Sequence, residues 1–300
     1  MKKIKIAIVG YGNIGKFSLE AAQAAPDMEV CGVVRRAASV ASNEPELQGI
    51  KVVSDIDDLG PVDVAVLCGP SRMIPDMAEP LLKKGIRTVD SFDIHSEVWN
   101  AVQRLDAAAK AGKAAAIVSA GWDPGTDSVV RTLLQAMAPK GITYTNFGPG
   151  MSMGHSVVAR SKAGVKNALS MTIPVGTGLH RRMVYVELEP GAKLEEVAQA
   201  IKTDDYFAHD ETHVIQVDSV DAVKDMGHGV LLERKGVSGK TQNQRFSFTM
   251  SINNPALTAQ ILIACARAVV KQPAGAYVLP EIAPMDLLPG DREQLIRSLV

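Results

Sequence analysis

A chain of 300 residues is long enough for one large domain or for two domains of medium size, each with a core. With 46% apolar residues, 22% charged residues and a net charge of −1, the composition is that of an ordinary globular protein and gives no indication of a surface for nucleic acid or membranes. The N-terminal apolar run is too short for a secretory segment and no stretch is long enough to span a bilayer, so we expect a cytoplasmic protein.

The first predicted strand, Ile4–Val9, leads into a glycine-rich loop, and a helical pattern follows at residues 16–25. This order is typical of a dinucleotide-binding βα unit, whose helix N-terminus attracts phosphates; the alternative is a tight turn that binds nothing. Gly10 would allow the turn, Gly12 the approach of a pyrophosphate, and Gly15 the close packing of helix on strand. The predicted cofactor contacts in this loop are Gly10, Tyr11, Gly12, Asn13, Ile14 and Gly15.

The second predicted strand, Met28–Val34, ends at the pair Arg35 and Arg36. An NAD-binding protein carries an acidic residue about twenty positions after the glycines, where it accepts the ribose 2′-OH. An arginine here instead favours NADP, because a guanidinium pairs with the 2′-phosphate. Ser39 and Ser42 could add hydroxyl donors, and the alternative is a pair of solvated arginines.

Further apolar strands at residues 62–68, 87–90 and 114–119 alternate with helical patterns such as 93–112. Alternating strands and helices predict a doubly wound parallel sheet, and ligands of such sheets bind at the carboxyl ends of the strands. The loops that start at Cys68, Asp90 and Ala120 should therefore face the cofactor. The predicted contacts in the first two loops are Cys68, Gly69, Pro70, Ser71, Asp90, Ser91 and Phe92.

After about residue 121 the pattern changes to a helix at 129–137 followed by β-rich stretches. These fit an open, mainly antiparallel sheet, interrupted by a helix at 194–201 and followed by a long helix at 256–271. The predicted strands of this region are 143–147, 166–173, 182–188, 213–217, 229–235 and 245–250. We therefore expect a dinucleotide-binding domain at 1–120, completed by 265–300, and a substrate-binding and dimerisation domain at 121–264.

Polar residues cluster where a cleft is expected. Asp93 and Asp123 each follow a strand of the predicted parallel sheet, although either could simply cap the next helix. The glycine-rich segment 148–156 would expose backbone N–H groups able to hold a carboxylate. Thr172, the segment 180–182 (His-Arg-Arg) and His228 form a sensible receptor for a second carboxylate, although adjacent arginines are usually solvated.

The cysteines Cys31, Cys68 and Cys265 are scattered and form no metal-ligand spacing. They fit a reducing compartment, and we expect them to be buried apolar residues and the protein to bind no metal.

Several motifs, in this order and spacing, resemble the meso-diaminopimelate dehydrogenase family: GYGNIG at 10–15, VDSFDIH at 89–95, SAGWDPG at 119–125, FGPGMSMGHS at 147–156 and NNPALTA at 253–259. The resemblance covers essentially the full length. The chain is similar to the compact branch of that family, which is noted for making D-amino acids from 2-oxo acids.

The resemblance implies roles for particular residues. Asp93 and Asp123 would lie near the reacting D-centre amino group, and the backbone of Met153 and Gly154 would hold the D-centre carboxylate. The distal L-centre carboxylate would be held by Thr172, Arg182 and His228. The remaining implied substrate contacts are Trp122, Phe147 and Asn254.

Two positions depart from the longer branch of the family, and one alignment needs a choice. Phe147 stands where the longer branch has tryptophan, and Met153 where it has glutamine. Arg182 is preferred over Arg181 as the carboxylate ligand because the strand pattern continues directly from it.

The resemblance also implies NADP as cofactor, a homodimer and a role in lysine biosynthesis. The implied reaction is oxidative deamination of the D-centre of meso-2,6-diaminopimelate to L-2-amino-6-oxopimelate, or tetrahydrodipicolinate, with release of ammonia. The reverse reductive amination, and amination of other 2-oxo acids to D-amino acids, would follow. Asp93 or Asp123 would accept the ammonium proton, because an amine must be neutral before it becomes an imine; His155 is a weaker candidate.

Two other classes of protein are compatible with the glycine loop. A reductase acting on a sugar or a cyclic imine is one, but sugar dehydrogenases of this build carry a Lys-Pro pair where this chain has residues 89–95, which include no lysine. A non-catalytic NADP sensor is the other, but it has no need for two aspartates and two anion receptors.

Overall fold

The computed structural model describes residues 3–41, 44–225 and 227–300. The chain divides into two compact units, the first comprising Met1–Val130 and Pro255–Val300 and the second Arg131–Asn254. Both boundaries differ by about ten residues from those expected at 120 and 265. The C-terminal boundary lies earlier because the whole helix that starts near residue 255 packs into the core of the first unit.

The first stretch of the chain alternates strands and helices. Its elements are β1 Ile4–Val9, α1 Asn13–Ala24, β2 Met28–Val34, β3 Val52–Val53, β4 Val64–Leu67, α2 Ile74–Lys83, β5 Arg87–Asp90, α3 Val98–Gly112, β6 Ala115–Val118 and α4 Thr126–Met137. The middle stretch is rich in strands. Its elements are β7 Lys140–Phe147, β8 Gly150–Met151, α5 Met153–Arg160, β9 Val165–Gly176, β10 Leu179–Leu188, α6 Leu194–Lys202, β11 Glu211–Gln216, β12 Gly227–Ser238 and β13 Thr241–Asn253.

The chain ends with α7 Asn254–Val269, β14 Gly275–Val278 and α8 Arg292–Leu299. The strand β14 pairs in parallel with β6, so the C-terminal segment extends the sheet of the first unit. That sheet has seven parallel strands in the order β14-β6-β5-β4-β1-β2-β3. The predicted doubly wound parallel sheet is confirmed.

Helices cover both faces of this sheet, which explains why its central strands are apolar throughout. In β1, Ile6 and Ile8 pack into a core that also contains α1 and α7, whereas Ala7 packs into the core of α2 and α3. The carboxyl ends of β1, β2, β4, β5 and β6 therefore lie along one edge, and the predicted cofactor loops follow them.

The second unit contains a four-stranded sheet, β11-β10-β9-β8, and a three-stranded sheet, β13-β12-β7. All strand pairs in it are antiparallel except β10 with β11. The sequence predicted one open sheet. The chain instead changes sheets at Gly148, whose φ is +98° and whose Cβ, if present, would lie 2.2 Å from the carbonyl oxygen of Thr172.

Within the ranges given above, no helix is long and apolar enough to cross a membrane.

Candidate functional site

The three glycines of the first loop have three different environments. Gly10 has a φ of +97° and donates its N–H to the carbonyl oxygen of Val34 at 2.9 Å, which closes the turn after β1. A Cβ on Gly15 would lie 2.2 Å from the Gly10 carbonyl oxygen, so α1 packs there as closely as only glycine permits. Gly12 is the N-cap of α1, and a Cβ there would meet nothing within 4 Å. The loop therefore leaves open space at the helix N-terminus, where a phosphate would bind.

Arg35, at the end of β2, is held from two sides. Its guanidinium lies 5.2 Å from the ring centroid of Tyr11 and forms two hydrogen bonds with the Glu44 carboxylate, at 2.9 and 3.1 Å. Arg36 is exposed, so of the two arginines only Arg36 fits the alternative of a solvated side chain. Ser39 is half-buried, and Ser42 lies outside the described residues.

Glu44 occupies the edge of the guanidinium that a 2′-phosphate would use. Burial and then the nearby Glu46 and Glu44 raise the pKa of Tyr11, which places both acids close to this ring. Sequence reasoning missed Glu44, because nothing in the local pattern pairs it with an arginine nine positions earlier.

The segment after β4 begins at Cys68, whose N–H donates to the Val9 carbonyl oxygen at 2.7 Å. Its thiol lies 3.6 Å from the Ser18 hydroxyl oxygen, and burial raises the pKa of Cys68 to about 12. The thiol is therefore neutral and a poor nucleophile. Gly69 packs against Met77, and Pro70 precedes a short 3₁₀ turn that starts at Ser71.

Asp90 lies in the interior, at the end of β5. One carboxyl oxygen, Oδ1, accepts the N–H of Phe92 at 2.9 Å and the N–H of Ser119 at 3.0 Å. Burial raises the pKa of this carboxyl to about 6. The predicted cofactor contact of the Asp90 side chain does not fit this position, because the side chain is fully buried; it ties the loop after β5 to the loop after β6.

These two loops carry the two candidate aspartates. Ser91 and the buried Phe92 lead to Asp93, which is exposed in the first unit. Asp93 is not the cap of the following helix: α3 begins at Val98, and its N-cap residue, Glu97, makes no side-chain capping bond.

Asp123 lies in the loop after β6, next to the buried Trp122. Its side chain is 8% exposed, and its carboxylate lies 3.6 Å from the Nε2 atom of His95, which belongs to the loop after β5. Both aspartates thus lie on loops that follow neighbouring strands. Two contacts link these loops: the hydrogen bonds of the Asp90 carboxyl and the approach of His95 to Asp123.

In the second unit, Arg182 and Thr172 are direct cross-strand partners on β10 and β9. The Arg182 guanidinium donates from Nη1 to the Thr172 hydroxyl and from Nε to the Asp210 carboxylate at 2.6 Å. Its neighbour Arg181 instead donates to Glu211 at 2.9 Å. Because successive side chains of a strand point to opposite faces, only Arg182 lies beside Thr172.

Two neutral histidines accompany Arg182. His228 is buried, and its Nδ1 atom accepts the N–H of Gly229 at 2.9 Å, so the proton of the ring is on Nε2. Burial, and then the charge of Arg182, lower the pKa of His228 to about 4. The same two causes lower the pKa of His180, whose Nε2 atom accepts the N–H of Phe147 at 2.9 Å and whose ring packs on that of Phe147.

The predicted glycine-rich loop at 148–156 is only partly a loop, since Met153 and Gly154 form the first turn of α5. The Ser152 hydroxyl is hydrogen-bonded to Nδ1 of His155 at 2.8 Å and not to the helix N-terminus. His155 packs edge-on against Tyr206 and Phe207, and burial and then Arg182 lower its pKa to about 4. These contacts are structural. Asn254, the last predicted substrate contact, is half-buried and begins α7.

Sequence reasoning also missed Asp210, because its contact with Arg182 depends on the parallel pairing of β10 with β11. Among the residues that the structure describes, no group of three or more His, Cys, Asp or Glu side chains could hold a metal ion.

Two known protein families match this chain. Residues 4–119 match the oxidoreductase family with an NAD-binding Rossmann fold, and residues 121–180 match the diaminopimelic acid dehydrogenase C-terminal domain. With the parallel sheet and its glycine loop, these matches define an oxidoreductase of the Rossmann type.

Similarity over the whole chain identifies the family. The chain is 63% identical over 301 residues to the meso-diaminopimelate D-dehydrogenase of Bacteroides fragilis, covering 100% of both chains. The chain belongs to the meso-diaminopimelate D-dehydrogenase family.

Solved structures agree with this assignment. The diaminopimelate dehydrogenase of Corynebacterium glutamicum in complex with diaminopimelate matches with a TM-score of 0.87 at 31% identity, covering 100% of both chains. An engineered D-amino acid dehydrogenase bound to NADP⁺ matches with a TM-score of 0.82 at 30% identity, again over 100% of both. The family, fold class and enzyme class predicted from the sequence are confirmed.

Proposed function

We propose that this enzyme oxidatively deaminates the D-centre of meso-2,6-diaminopimelate with NADP⁺, releasing ammonia and L-2-amino-6-oxopimelate, and that it also runs the reverse reductive amination. The proposal rests on a cluster in the second unit, in which Arg182, Thr172 and the neutral His228 lie together. A cation and two neutral donors suit the distal carboxylate of the substrate. The α5 N-terminus, at Met153 and Gly154, suits the D-centre carboxylate.

NADP fits the first unit. The open space beside Gly12 and the N-terminus of α1 suit the pyrophosphate, and Arg35 suits the 2′-phosphate once it releases Glu44. When bound, the cofactor supplies the nicotinamide ring that accepts the hydride. The loops after β4 and β5, at residues 68–71 and 90–92, line the carboxyl edge of the sheet beside it.

Asp123 and Asp93 supply the acid–base chemistry. The D-centre ammonium must lose a proton before its nitrogen becomes an imine, and a carboxylate near that nitrogen accepts it. Asp123 lies 3.6 Å from His95 and its side chain is shielded from water, whereas Asp93 is exposed in the first unit. We therefore assign proton acceptance to Asp123 and binding of the ammonium to Asp93, with Trp122, Phe147 and Asn254 as further substrate contacts.

The test is NADP⁺ reduction with meso-, LL- and DD-diaminopimelate as separate substrates, each repeated with NAD⁺. We expect turnover with the meso isomer and NADP⁺ and little with the other combinations. Asp123→Asn should lower kcat by at least about 100-fold while the Kd for NADP⁺ stays near that of the wild type. NADP⁺ binding without turnover of any isomer would overturn the proposal and favour a sensor.

We propose further that the enzyme is a cytoplasmic homodimer that serves lysine biosynthesis and also aminates other 2-oxo acids to D-amino acids. Leu133, Met137 and Ile142 are each about half exposed, and a partner subunit would cover such apolar side chains. Sedimentation equilibrium should give twice the mass of the chain. A monomer at micromolar concentration would overturn the assignment of the dimer.

A further inference from the structure

Asp210 is the acidic member of the receptor around Arg182. Its Oδ2 atom accepts the Nε–H of Arg182 at 2.6 Å, and the two side chains are 25% and 13% exposed. No hydrogen-bond donor among the described residues contacts its other oxygen, Oδ1. Half of this carboxylate is therefore available to a ligand beside the guanidinium.

The charges of the receptor balance without a ligand. Arg182 and Asp210 carry opposite charges, and the nearby His155, His180 and His228 are neutral because burial and the Arg182 charge favour their unprotonated forms. A receptor for a carboxylate alone has no need of an anion next to its cation. The L-centre of diaminopimelate, however, carries both a carboxylate and an ammonium on one carbon atom, so it matches a cation and an anion held side by side.

We propose that Asp210 binds the α-ammonium group of the substrate's L-centre while Arg182 binds the carboxylate on the same carbon. This inference rests on the function proposed above and names a specificity-determining residue for it. A zwitterion placed on the pair leaves every charge compensated. A side chain ending in a carboxylate alone places that carboxylate close to Asp210, and like charges repel. Asp210 therefore selects for an amino group at the distal end of the substrate.

The experiment compares meso-diaminopimelate with D-2-aminopimelate, which has the same length and both carboxylates but no L-amino group. We expect the wild type to prefer meso-diaminopimelate by at least about tenfold in kcat/KM. Asp210→Asn should lower kcat/KM for meso-diaminopimelate by about tenfold or more, mainly through KM, and leave that for D-2-aminopimelate unchanged or raised.

A purely structural role gives a different pattern. If Asp210 only orients Arg182, the variant loses kcat/KM equally for both substrates, and this result would overturn the inference. Glu211→Gln is the matched control, since Glu211 pairs with Arg181 on the opposite face, and it should change neither value. Equal kcat/KM of the wild type for the two substrates would overturn the inference without any variant. Absence of turnover with both meso-diaminopimelate and D-2-aminopimelate would instead contradict the proposed function, and this inference with it.

Discussion

At the scale of single residues, the buried carboxyl of Asp90 has the clearest consequence. Burial favours its neutral form, so the folded protein holds this proton more tightly than the unfolded chain, and the pKa rises from 3.8 to about 6. The stability contributed by this group is complete below about pH 4 and is lost as the pH rises through about 6. A shift of this size lowers the free energy of unfolding by about 3 kcal/mol between pH 4 and neutral pH. This is the cost of a buried carboxyl that links the two loops.

Replacing Asp90 with asparagine tests this directly. Asp90→Asn keeps the oxygen that accepts the N–H groups of Phe92 and Ser119 but carries no charge. We expect its free energy of unfolding to exceed that of the wild type by about 2 kcal/mol near pH 7.5 and to equal it near pH 4. Urea unfolding at both pH values is the measurement. An equal difference at the two pH values would contradict the assignment, and Asp90→Ala, which loses the bridge, should be less stable than the wild type at both.

At the scale of elements, the first loop and α1 contain a natural matched pair of glycines. Gly15→Ala would place a Cβ 2.2 Å from a carbonyl oxygen and push α1 away from β1, whereas Gly12→Ala points its Cβ into open space. We expect Gly15→Ala to lower the free energy of unfolding by about 2–3 kcal/mol, and Gly12→Ala to lower it by less than about 1 kcal/mol because alanine is only a weaker N-cap there.

The affinity for NADP⁺ should be affected in Gly12→Ala, the variant whose stability changes less. A methyl group on Gly12 would occupy the space where we place the pyrophosphate, so the Kd for NADP⁺ should rise by at least about tenfold in a protein that folds normally. Calorimetric titration with NADP⁺ gives both numbers. Unchanged affinity in Gly12→Ala would remove the pyrophosphate from this position.

Much of the element pattern was predictable, for physical reasons that particular strands illustrate. Strands β1, β2 and β5 end where the sequence predicts, because a glycine, an arginine pair or a buried aspartate interrupts each apolar run. The start of α3 at Val98 and the first turn of α5 at Met153 were not predicted. Glu97, before α3, makes no capping bond, and Ser152, before α5, lies in a glycine-rich segment that is typical of a loop. The division of the second unit into two sheets depends on the corner at Gly148, which a strand pattern does not reveal.

The candidate site was predictable where a contact is local and unpredictable where it depends on pairing. The glycine loop and the choice of Arg182 over Arg181 follow from the spacing along one strand. The carboxylates that hold the two key arginines, Glu44 and Asp210, lie on separate segments, and only the folded chain brings them to their partners.

At the scale of the whole molecule, Arg267 of α7 links distant parts of the first unit. It donates from Nη2 to Asp27 at 2.7 Å and from Nη1 to the Leu287 carbonyl oxygen at 2.9 Å, and it is 7% exposed. The hydrogen bonds from Arg267 lower the pKa of Asp27. This stabilisation is therefore present above about pH 4 and is lost as the pH falls further.

Arg267→Ala should lower the free energy of unfolding by about 3 kcal/mol near neutral pH, because it leaves a carboxylate and a carbonyl group without their donor. Lys271→Ala is the control, since the ion pair of Lys271 with Asp286 is on the surface and its loss should cost less than about 1 kcal/mol. Urea denaturation of the three proteins checks the ranking. Equal stabilities of the two variants would show that the pair of Arg267 with Asp27 does not hold the C-terminal segment in place.

The return of the chain to the first unit has a consequence for synthesis on the ribosome. Ile6 and Ile8 share a core with Leu262 and Ile263 of α7, which are synthesised more than 250 residues later. The nascent sheet therefore emerges with one apolar face covered only by α1 and with β6 not yet paired with β14, a state that invites chaperone binding. The second unit is a continuous stretch with its own core, so all the residues of that core are present before α7 is synthesised. The first unit therefore begins before the second along the chain and is completed after it.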